Sequence, residues 1–262
     1  MSDFDDAPLL RVSGLTHRYG NTIACRDVSF ELYPGEVLGI VGESGSGKTT
    51  LLDCLSGRLR PSTGEVAYDV RGRGLLDIHR QLSEPERRML MRTDWGIVLQ
   101  DPREGLRMRV SAGANVGERL MAIGARHYGE IRAQAVDWME RVELDLARID
   151  DPPSTFSGGM RQRLQIARNL VTGPRLVFMD EPTSGLDVSV QARLLDLLRR
   201  LTRELNLASI VVTHDLGVVR LLSHRLIVMR DGEVVEHGLT DRVLDDPRHP
   251  YTQLLVSSIL PV

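Results

Sequence analysis

The chain has 262 residues, of which 42% are hydrophobic and 26% are charged, and its formal net charge is −3. This balance is typical of a globular protein and argues against one that coats nucleic acid. No segment approaches the roughly 20 consecutive apolar residues of a membrane helix, and the acidic residues 1–6 do not resemble a signal peptide. We therefore expect a cytoplasmic protein that does not insert into a membrane.

The residue pattern predicts strands that alternate with helices. Residues 9–12 and 28–32 alternate apolar and polar side chains, and the fully apolar residues 37–41 predict a buried parallel strand. Further strands are predicted at residues 95–99, 176–179 and 210–213, with a hairpin around Asp231-Gly232. Helical patterns cover residues 75–92, most of 100–153, 157–171 and 190–205. This order predicts an α/β fold that is interrupted by a helical insertion.

A glycine-rich segment follows the strand predicted at residues 37–41. Residues 42–49 read GESGSGKT and match the pattern G-x-x-x-x-G-K-S/T between a strand and a helix. In such a loop the glycines let main-chain N–H groups surround a phosphate, and the helix N-terminus adds about half a positive charge. Lys48 can reach the β- and γ-phosphates, and the Thr49 hydroxyl can ligate Mg²⁺. The nucleotide-binding residues predicted here are Gly42, Ser44, Gly45, Ser46, Gly47, Lys48, Thr49 and Thr50.

Two adjacent carboxylates, Asp180 and Glu181, follow the strand predicted at residues 176–179. Ligands of open α/β sheets bind at the carboxyl ends of such strands. Many strands end in solvated acids, but the phosphate-binding pattern in the same chain favours a catalytic pair. We expect Asp180 to hold Mg²⁺ through water and Glu181 to act on the attacking water as a general base.

The two cysteines are Cys25 and Cys54. They do not form a CxxC pair, and no histidine cluster accompanies them in the sequence. We therefore expect buried thiols in a reducing compartment rather than a disulfide or a metal site.

With these motifs, the chain resembles the ATP-binding-cassette (ABC) family of ATPases over almost its whole length. Residues 156–163, FSGGMRQR, look like the family signature LSGGQ. Ser157 is a good helix N-cap, and Gly158 and Gly159 leave the helix N-terminus bare enough to receive a phosphate. In the family this end receives the γ-phosphate of ATP bound to a second cassette. The resemblance therefore implies a dimer, here of two copies of the chain, that encloses two ATP molecules.

The resemblance also implies a fold and a division of the chain. The fold is a P-loop, RecA-like nucleotide-binding domain with an antiparallel β subdomain and an α-helical signature subdomain. A single ABC ATPase domain would span residues 8–262. Its core and β subdomain would comprise residues 8–100 and 170–262, and its helical subdomain would comprise residues 101–169.

Four further positions match elements of the family. Tyr19 resembles the aromatic residue that stacks on adenine, although a tyrosine at a strand end can also pack on the core. Gln100 resembles the glutamine that contacts Mg²⁺ or water and senses the partner. Asp187, in SGLD at residues 184–187, resembles the D-loop aspartate of the dimer seam. His214 resembles the switch histidine that contacts the γ-phosphate, so catalytic roles are implied for Gln100, Glu181 and His214.

Two residues depart from the family pattern. Met160 stands where the signature usually has glutamine, and Gly185 stands where the D-loop usually has alanine. Because methionine cannot donate the hydrogen bonds of glutamine, we expect ATP hydrolysis that is slow. An alternative is a clamp that binds ATP and dimerises but scarcely hydrolyses it.

Finer resemblances concern the partners. Residues 156–160, 117–129 (GERLMAIGARHYG) and 249–255 (HPYTQLL) look like the ATP-binding K subunits of bacterial carbon–phosphorus lyase systems, with similarity from residue 9 to 260. This implies an ATP-driven dimer docked on the core subunits of a soluble phosphonate-degrading lyase. The chain itself lacks the cysteines for the iron–sulfur chemistry of C–P bond cleavage. The alternative is the ATPase subunit of a peptide or nickel importer. Those subunits share residues 189–192 (SVQA) and 249–252 (HPYT) but commonly continue into a cysteine-bearing tail.

Basic residues flank Gln100. Arg103, Arg107 and Arg109 are the nearest group on its C-terminal side. Such a group either forms a solvated charged face or contacts a partner protein. The second interpretation predicts that these three arginines bind the partner.

Overall fold

The computed structural model describes residues 7–258, so the predictions for residues 1–6 and 259–262 lie outside the described residues. The strands are β1 (Leu10–Tyr19), β2 (Thr22–Leu32), β3 (Val37–Val41), β4 (Thr63–Val70), β5 (Gly74–Asp77), β6 (Trp95–Val98), β7 (Leu176–Asp180), β8 (Ala208–Thr213), β9 (Arg225–Arg230) and β10 (Glu233–Leu239). The helices are α1 (Lys48–Leu55), α2 (Glu84–Thr93), α3 (Pro102–Gly105), α4 (Ala112–Ala122), α5 (Tyr128–Arg141), α6 (Gly158–Leu170), α7 (Val188–Glu204), α8 (Leu216–Leu222), α9 (Thr240–Asp245) and α10 (Pro250–Ser257). Short 3₁₀ turns lie at Leu146–Arg148 and Pro153–Thr155. No helix in this part of the chain is long and apolar enough to cross a membrane.

The described chain forms two compact units. The first unit comprises residues 7–87 and 202–258, and the second unit comprises residues 88–201. The chain passes between the units within α2 and within α7. Each unit has its own strands, helices and buried side chains.

The first unit contains an antiparallel sheet and a second, mostly parallel group of strands. The antiparallel sheet has the strand order β2-β1-β4-β5. In the other group β3 pairs in parallel with both β8 and β9, and β10 pairs antiparallel with β9. All five residues of β3 are buried, as is typical of a parallel strand that is covered on both faces. The phosphate-binding segment therefore leaves the core at the end of a fully buried strand.

Helices α8, α9 and α10 complete the core of the first unit. Their buried cluster includes Val41 of β3, Val219 of α8, Val228 of β9 and Tyr251 of α10. Burial of an aliphatic side chain of this size stabilises the fold by about 1.5–3 kcal/mol. The C-terminal helix is thus tied into the same core as β3.

The second unit joins a pair of parallel strands to a set of helices. β6 pairs with β7 from Trp95 opposite Leu176 to Val98 opposite Met179. The rings of Trp95 and Phe178 meet edge to face, with their centroids 5.6 Å apart. Between residues 102 and 170 every assigned element is helical, and α6 lies against β6. The two strands lead directly to the polar segments that begin near residues 100 and 180.

The structure confirms the predicted α/β class and corrects one element. The predicted strands coincide with β1, β2, β3, β6, β7 and β8, and the predicted hairpin is formed by β9 and β10. Residues 74–77 form strand β5 rather than part of a helix, because Leu75 and Leu76 lie opposite Asp69 and Tyr68 of β4. The helix begins only at Glu84. Both cysteines are buried and free, as expected. The division of the domain at residues 101–169 stays a prediction.

Candidate nucleotide site

The phosphate loop (residues 42–49) follows β3 and leads into α1. Gly42 and Gly47 have φ angles of 154° and 97°. A Cβ at Gly42 would lie 2.2 Å from the carbonyl oxygen of Met229, and a Cβ at Gly47 would lie 2.0 Å from that of Ala24. No side chain fits at such distances, so both positions require glycine. The loop is therefore packed against neighbouring main chain on two sides, which fixes the conformation of its backbone.

Lys48 holds the loop together from inside. Its side chain is buried, and Nζ donates to the carbonyl oxygens of Gly42 and Glu43 at 2.8 and 2.7 Å and lies 3.4 Å from Ser46 Oγ. α1 starts at Lys48, and its N-cap residue, Gly47, has no capping side chain. The N-terminal N–H groups of α1 therefore keep their partial positive charge next to the ammonium group. This combination suits a phosphate.

Two groups from distant parts of the first unit support the loop. The Glu43 N–H donates to the Tyr251 hydroxyl at 3.0 Å, and the Gly232 N–H donates to the Ser46 carbonyl at 3.2 Å. Tyr251 is buried, and the Arg230 guanidinium lies 5.0 Å from the centre of its ring. The sequence interpretation missed this role of Tyr251, because no local spacing connects residue 251 with residue 43.

The other predicted site residues of the first unit are mostly accessible. Ser44, Gly45 and Thr49 are exposed, and Thr50 is half-buried. Tyr19 ends β1 with 55% of its surface exposed, and its ring meets His17 edge-on at 4.7 Å, so it does not pack in the core. His214 follows β8 directly and is exposed. The hydroxyl and ring groups of these residues can therefore meet a ligand.

Asp180 and Glu181 lie at the end of β7 in the second unit. Asp180 is the last residue of the strand and is only 8% exposed. Glu181 has a φ angle of 45°, in the left-handed region that residues with a Cβ enter at a cost of order 1–3 kcal/mol. Its carbonyl oxygen accepts from the Ser184 N–H at 3.0 Å, which closes a turn. Backbone strain of this kind clusters at functional sites.

Gln100 contacts the turn that follows β7, and Asp187 contacts the start of α7. The side-chain amide of Gln100 donates to Ser184 Oγ at 3.2 Å. The Asp187 carboxylate accepts from the Val190 N–H at 3.0 Å and from the Ser189 hydroxyl at 2.8 Å, at the start of α7. These hydrogen bonds, the Val190 bond first, lower the pKa of Asp187. The Asp187 carboxylate is therefore ionised at neutral pH and caps the helix.

The signature segment forms a helix start, as predicted. Ser157 is the N-cap of α6, and its Oγ accepts from the Met160 N–H at 3.3 Å. Ser157 is exposed, Gly158 is half-buried and Gly159 is buried. Because the first N–H groups of a helix have no partner within the helix, this end can bind an anion.

Three buried amide side chains on α6 form a cluster that the sequence interpretation missed. Gln165 Oε1 accepts from the Leu99 N–H at 2.7 Å, and Nε2 donates to the Leu99 carbonyl at 3.1 Å. Asn169 Oδ1 accepts from the Ile97 N–H at 3.0 Å, and Gln165 Nε2 also donates to Gln162 Oε1 at 3.2 Å. The three amides are at most 2% exposed. Their positions on one helix face, three and four residues apart, are the signal that could have revealed them.

Each unit also supplies oxygen groups of the kind that Mg²⁺ takes as ligands. These are the Thr49 hydroxyl in the first unit and the Gln100 amide and Asp180 carboxylate in the second. Within residues 7–258 no group of three or more His, Cys, Asp or Glu side chains is arranged to hold a metal by itself. Oxygen groups of this kind suit Mg²⁺, which in nucleotide sites is usually bound by one or two protein ligands together with phosphate oxygens and water.

Sequence comparison relates the chain to ATP-binding proteins. A profile of the ABC transporter family matches residues 25–184. The chain is 68% identical over 253 residues to the phosphonates utilization ATP-binding protein PhnK of Escherichia coli strain K12, covering 97% of this chain and 98% of that protein. It is 39% identical over 241 residues to the oligopeptide transport ATP-binding protein AmiE of Streptococcus pneumoniae, covering 90% of this chain and 67% of that protein.

Comparison with a solved structure also relates the chain to ATP-binding cassettes. The ATP-binding cassette MJ0796, a dimer in a post-hydrolysis state bound to ADP and phosphate, matches with a TM-score of 0.78 and 30% identity. The match covers 88% of this chain and 98% of that chain. These comparisons confirm the predicted cassette fold and its ligands, ATP and Mg²⁺. The chain therefore belongs to the ABC transporter family, as an ATP-binding cassette that hydrolyses ATP with Mg²⁺.

Proposed function

We propose that this chain is the ATP-hydrolysing subunit of a phosphonate-degrading machinery. A dimer of the chain docks on the core subunits of a soluble carbon–phosphorus lyase and drives a conformational change there. The observation that carries this proposal is the 68% identity, over nearly all of both chains, with a phosphonates utilization ATP-binding protein. In this function the chain hydrolyses ATP to drive a conformational change, and the lyase core breaks the C–P bond.

In the first unit, the phosphate loop binds the β- and γ-phosphates of ATP through its main-chain N–H groups and Lys48. The Lys48 ammonium donates to neutral carbonyl groups of the loop. A polyphosphate offers it charged acceptors, which form hydrogen bonds about twice as strong. Tyr19 stacks on the adenine and His214 contacts the γ-phosphate; the exposure of both rings supports these roles.

Thr49, Gln100 and Asp180 are the residues that would hold Mg²⁺. When bound, Mg²⁺ neutralises the charge that develops on the phosphate oxygens during transfer. Glu181 orients the attacking water and accepts its proton, a role typically worth about 10²–10⁴-fold in rate. The left-handed backbone of Glu181 supports this assignment.

Ser157, Gly158 and Gly159 of one chain complete the nucleotide site of the second chain, and Asp187 lies at the seam. The exposed, N-capped start of α6 supports this role, since an uncovered helix start binds a γ-phosphate well. The dimeric state of the similar cassette MJ0796 supports the arrangement. Two identical chains that exchange this contact have two-fold symmetry.

The arginines that follow Gln100 contribute to the surface that contacts the lyase core. Arg103 pairs with Asp101 at 2.7 Å, and Arg107 forms an ion pair with Glu118. Arg109 is exposed and forms no ion pair within residues 7–258. Its charge is therefore the most available of the three, and Arg109 is the first choice for mutation.

The deciding experiment is affinity purification of the tagged chain from native cells grown with a phosphonate as the phosphorus source. We expect soluble lyase subunits to co-purify with it. Arg109→Glu should reduce their recovery while ATP binding is retained, and Arg199→Glu, at an exposed arginine of α7, is the matched control. Unchanged recovery with Arg109→Glu would contradict the surface assignment but not the lyase proposal.

The second candidate is the ATPase subunit of a peptide or nickel importer. The observation that favours it is the 39% identity with an oligopeptide transport ATP-binding protein. The same purification, carried out on detergent-solubilised membranes, distinguishes the two. Co-purification of multi-span permease chains without lyase subunits would contradict the first proposal and support this one.

A further inference from the structure

Arg148 ends the 3₁₀ turn at Leu146–Arg148 and makes several contacts with the segment that leads to α6. Its Nε donates to the Asp151 carboxylate at 2.8 Å. Its Nη2 donates to Thr155 Oγ1 at 2.8 Å and to the Thr155 carbonyl at 3.3 Å. One side chain therefore connects two points of the segment before the signature.

The same guanidinium group also contacts the signature itself. Its central carbon lies 4.7 Å from the centre of the Phe156 ring, as in a cation–π contact. Its Nη1 lies 3.8 Å from the sulfur atom of Met160. Arg148 thus reaches residues on both sides of Ser157, the N-cap of α6.

The segment before Ser157 needs such support. Pro152 and Pro153 have no main-chain N–H to donate. The 3₁₀ turn at Pro153–Thr155 is held by i→i+3 hydrogen bonds, whose geometry is poorer than that of an α-helix. The shape of the segment therefore depends on side-chain contacts, and Arg148 contributes those to Thr155 and to the ring of Phe156.

We infer that Arg148 is a positioning residue for ATP hydrolysis, which holds residues 155–160 in the shape that presents Ser157 to the γ-phosphate bound by a second chain. The planar guanidinium fork suits this task, because it donates to several acceptors in fixed directions. The guanidinium group also places N–H donors beside Met160, whose side chain has no hydrogen-bond donor of its own. The inference rests on the proposed role of Ser157 in the dimer.

The test uses the full chain with Glu181→Gln, so that bound ATP persists. Nucleotide affinity is measured with a fluorescent ATP analogue, and ATP-dependent dimerisation is measured by sedimentation velocity. Adding Arg148→Met should raise the dimer dissociation constant about tenfold or more and leave the nucleotide affinity of the monomer within about twofold. In the chain without Glu181→Gln, Arg148→Met should lower kcat and leave KM for ATP unchanged.

Two variants separate positioning from general effects of charge or stability. Arg132 makes a two-pronged ion pair with Asp150, at 2.7 and 2.8 Å, in the same unit, so Arg132→Met is the matched control and should dimerise like the parent. Arg148→Lys keeps the charge but not the fork and should dimerise as poorly as Arg148→Met. Normal dimerisation of either Arg148 variant, or equal weakening by Arg132→Met, would overturn the inference.

Hydrogen exchange of the ATP-free chain gives a readout that does not depend on the dimer. Arg148→Met should speed the exchange of amides at residues 155–161, and Arg132→Met should not. Unchanged exchange in Arg148→Met would also overturn the inference. A Glu181→Gln parent that binds ATP but stays monomeric would instead contradict the proposed role of Ser157.

Discussion

The Tyr251 hydroxyl accepts a hydrogen bond from the main-chain N–H of Glu43 at 3.0 Å, although the two residues are 208 positions apart in the sequence. Tyr251 belongs to the buried cluster that also contains Val41, the last residue of β3. α10 therefore supports the phosphate loop at the point where it leaves the strand. A loop that is already held in its binding shape loses less entropy when it binds a ligand, so this contact should favour ATP binding.

Replacing Tyr251 by Phe should weaken ATP binding about two- to tenfold, the range expected for the loss of one hydrogen bond. The affinity can be measured by titration with a fluorescent ATP analogue. Tyr33→Phe is a matched control, because it removes a hydrogen bond to Glu31 at 2.8 Å elsewhere in the same unit. Equal affinities for Tyr251→Phe and the unmodified chain would show that the contact does not organise the loop.

Replacing Gln165 by Met should lower both stability and turnover. Methionine has a similar length but cannot pair with the N–H and carbonyl groups of Leu99, so the free energy of unfolding should fall by about 1–3 kcal/mol or more. The segment that leads to Gln100 then loses an anchor, so kcat should fall while ATP affinity is retained. Denaturant unfolding and steady-state kinetics provide the two measurements.

The matched control for Gln165→Met is Leu164→Ala, at the adjacent buried position of α6. It should lower the free energy of unfolding by about 2–5 kcal/mol without removing a hydrogen bond. If both variants lose the same fraction of kcat under conditions where both are folded, the effect of Gln165 is one of stability alone.

Replacing Glu181 by Gln should lower steady-state ATP hydrolysis by about 10²–10⁴-fold while ATP remains bound, because glutamine keeps the shape but is not a base. Phosphate release and equilibrium ATP binding measure the two effects. Glu143→Gln is a suitable control, since Glu143 also has a left-handed backbone, with a φ angle of 58°, in the same unit. Hydrolysis that survives Glu181→Gln at full rate would assign the base to another group.

Replacing Met160 by Gln should raise kcat about two- to tenfold, the equivalent of one added hydrogen bond at the signature. Position 160 is half-buried beside the Arg148 guanidinium, where an amide can both accept and donate. Met160→Leu, which adds no polar group, should leave kcat unchanged. A Met160→Gln variant no faster than the unmodified chain would mean that Met160 does not limit turnover.

The stability of the chain should depend on pH through His79. His79 is buried, and its Nε2–H donates to the Cys54 carbonyl at 2.9 Å. Burial lowers the pKa of His79 below its ordinary value of 6.5. Between the lowered pKa and 6.5 the unfolded chain binds more protons than the folded chain, so the free energy of unfolding rises with pH through that window.

The contribution of His79 is fully present above pH 6.5 and is lost as the pH falls through the pKa of the folded state. His79→Gln keeps a donor for the Cys54 carbonyl and should make the dependence on pH shallower. Denaturant unfolding of both proteins at several pH values between about 5 and 8 gives the comparison. Identical slopes would mean that His79 does not titrate differently in the folded and unfolded states.

Motifs that depend on a few consecutive residues could be predicted from the sequence. The phosphate loop, the N-cap at Ser157 and the hairpin at Asp231-Gly232 all follow from local spacing and from the backbone preferences of glycine and serine. The prediction of a helix at residues 75–77 is wrong, because pairing with β4 overrides the weak local preference of these residues and makes them part of strand β5. A strand of this kind is defined by its neighbour rather than by its own residues.

The groups that support these motifs were decided by the tertiary structure. Tyr251 reaches Glu43, and Gln165 reaches Leu99, across 208 and 66 positions of the chain. Periodicity encodes which face of a helix or strand is buried, because side-chain directions repeat every few residues. A hydrogen bond between distant residues depends instead on where the folded main chain brings them, and no spacing along the sequence records that distance.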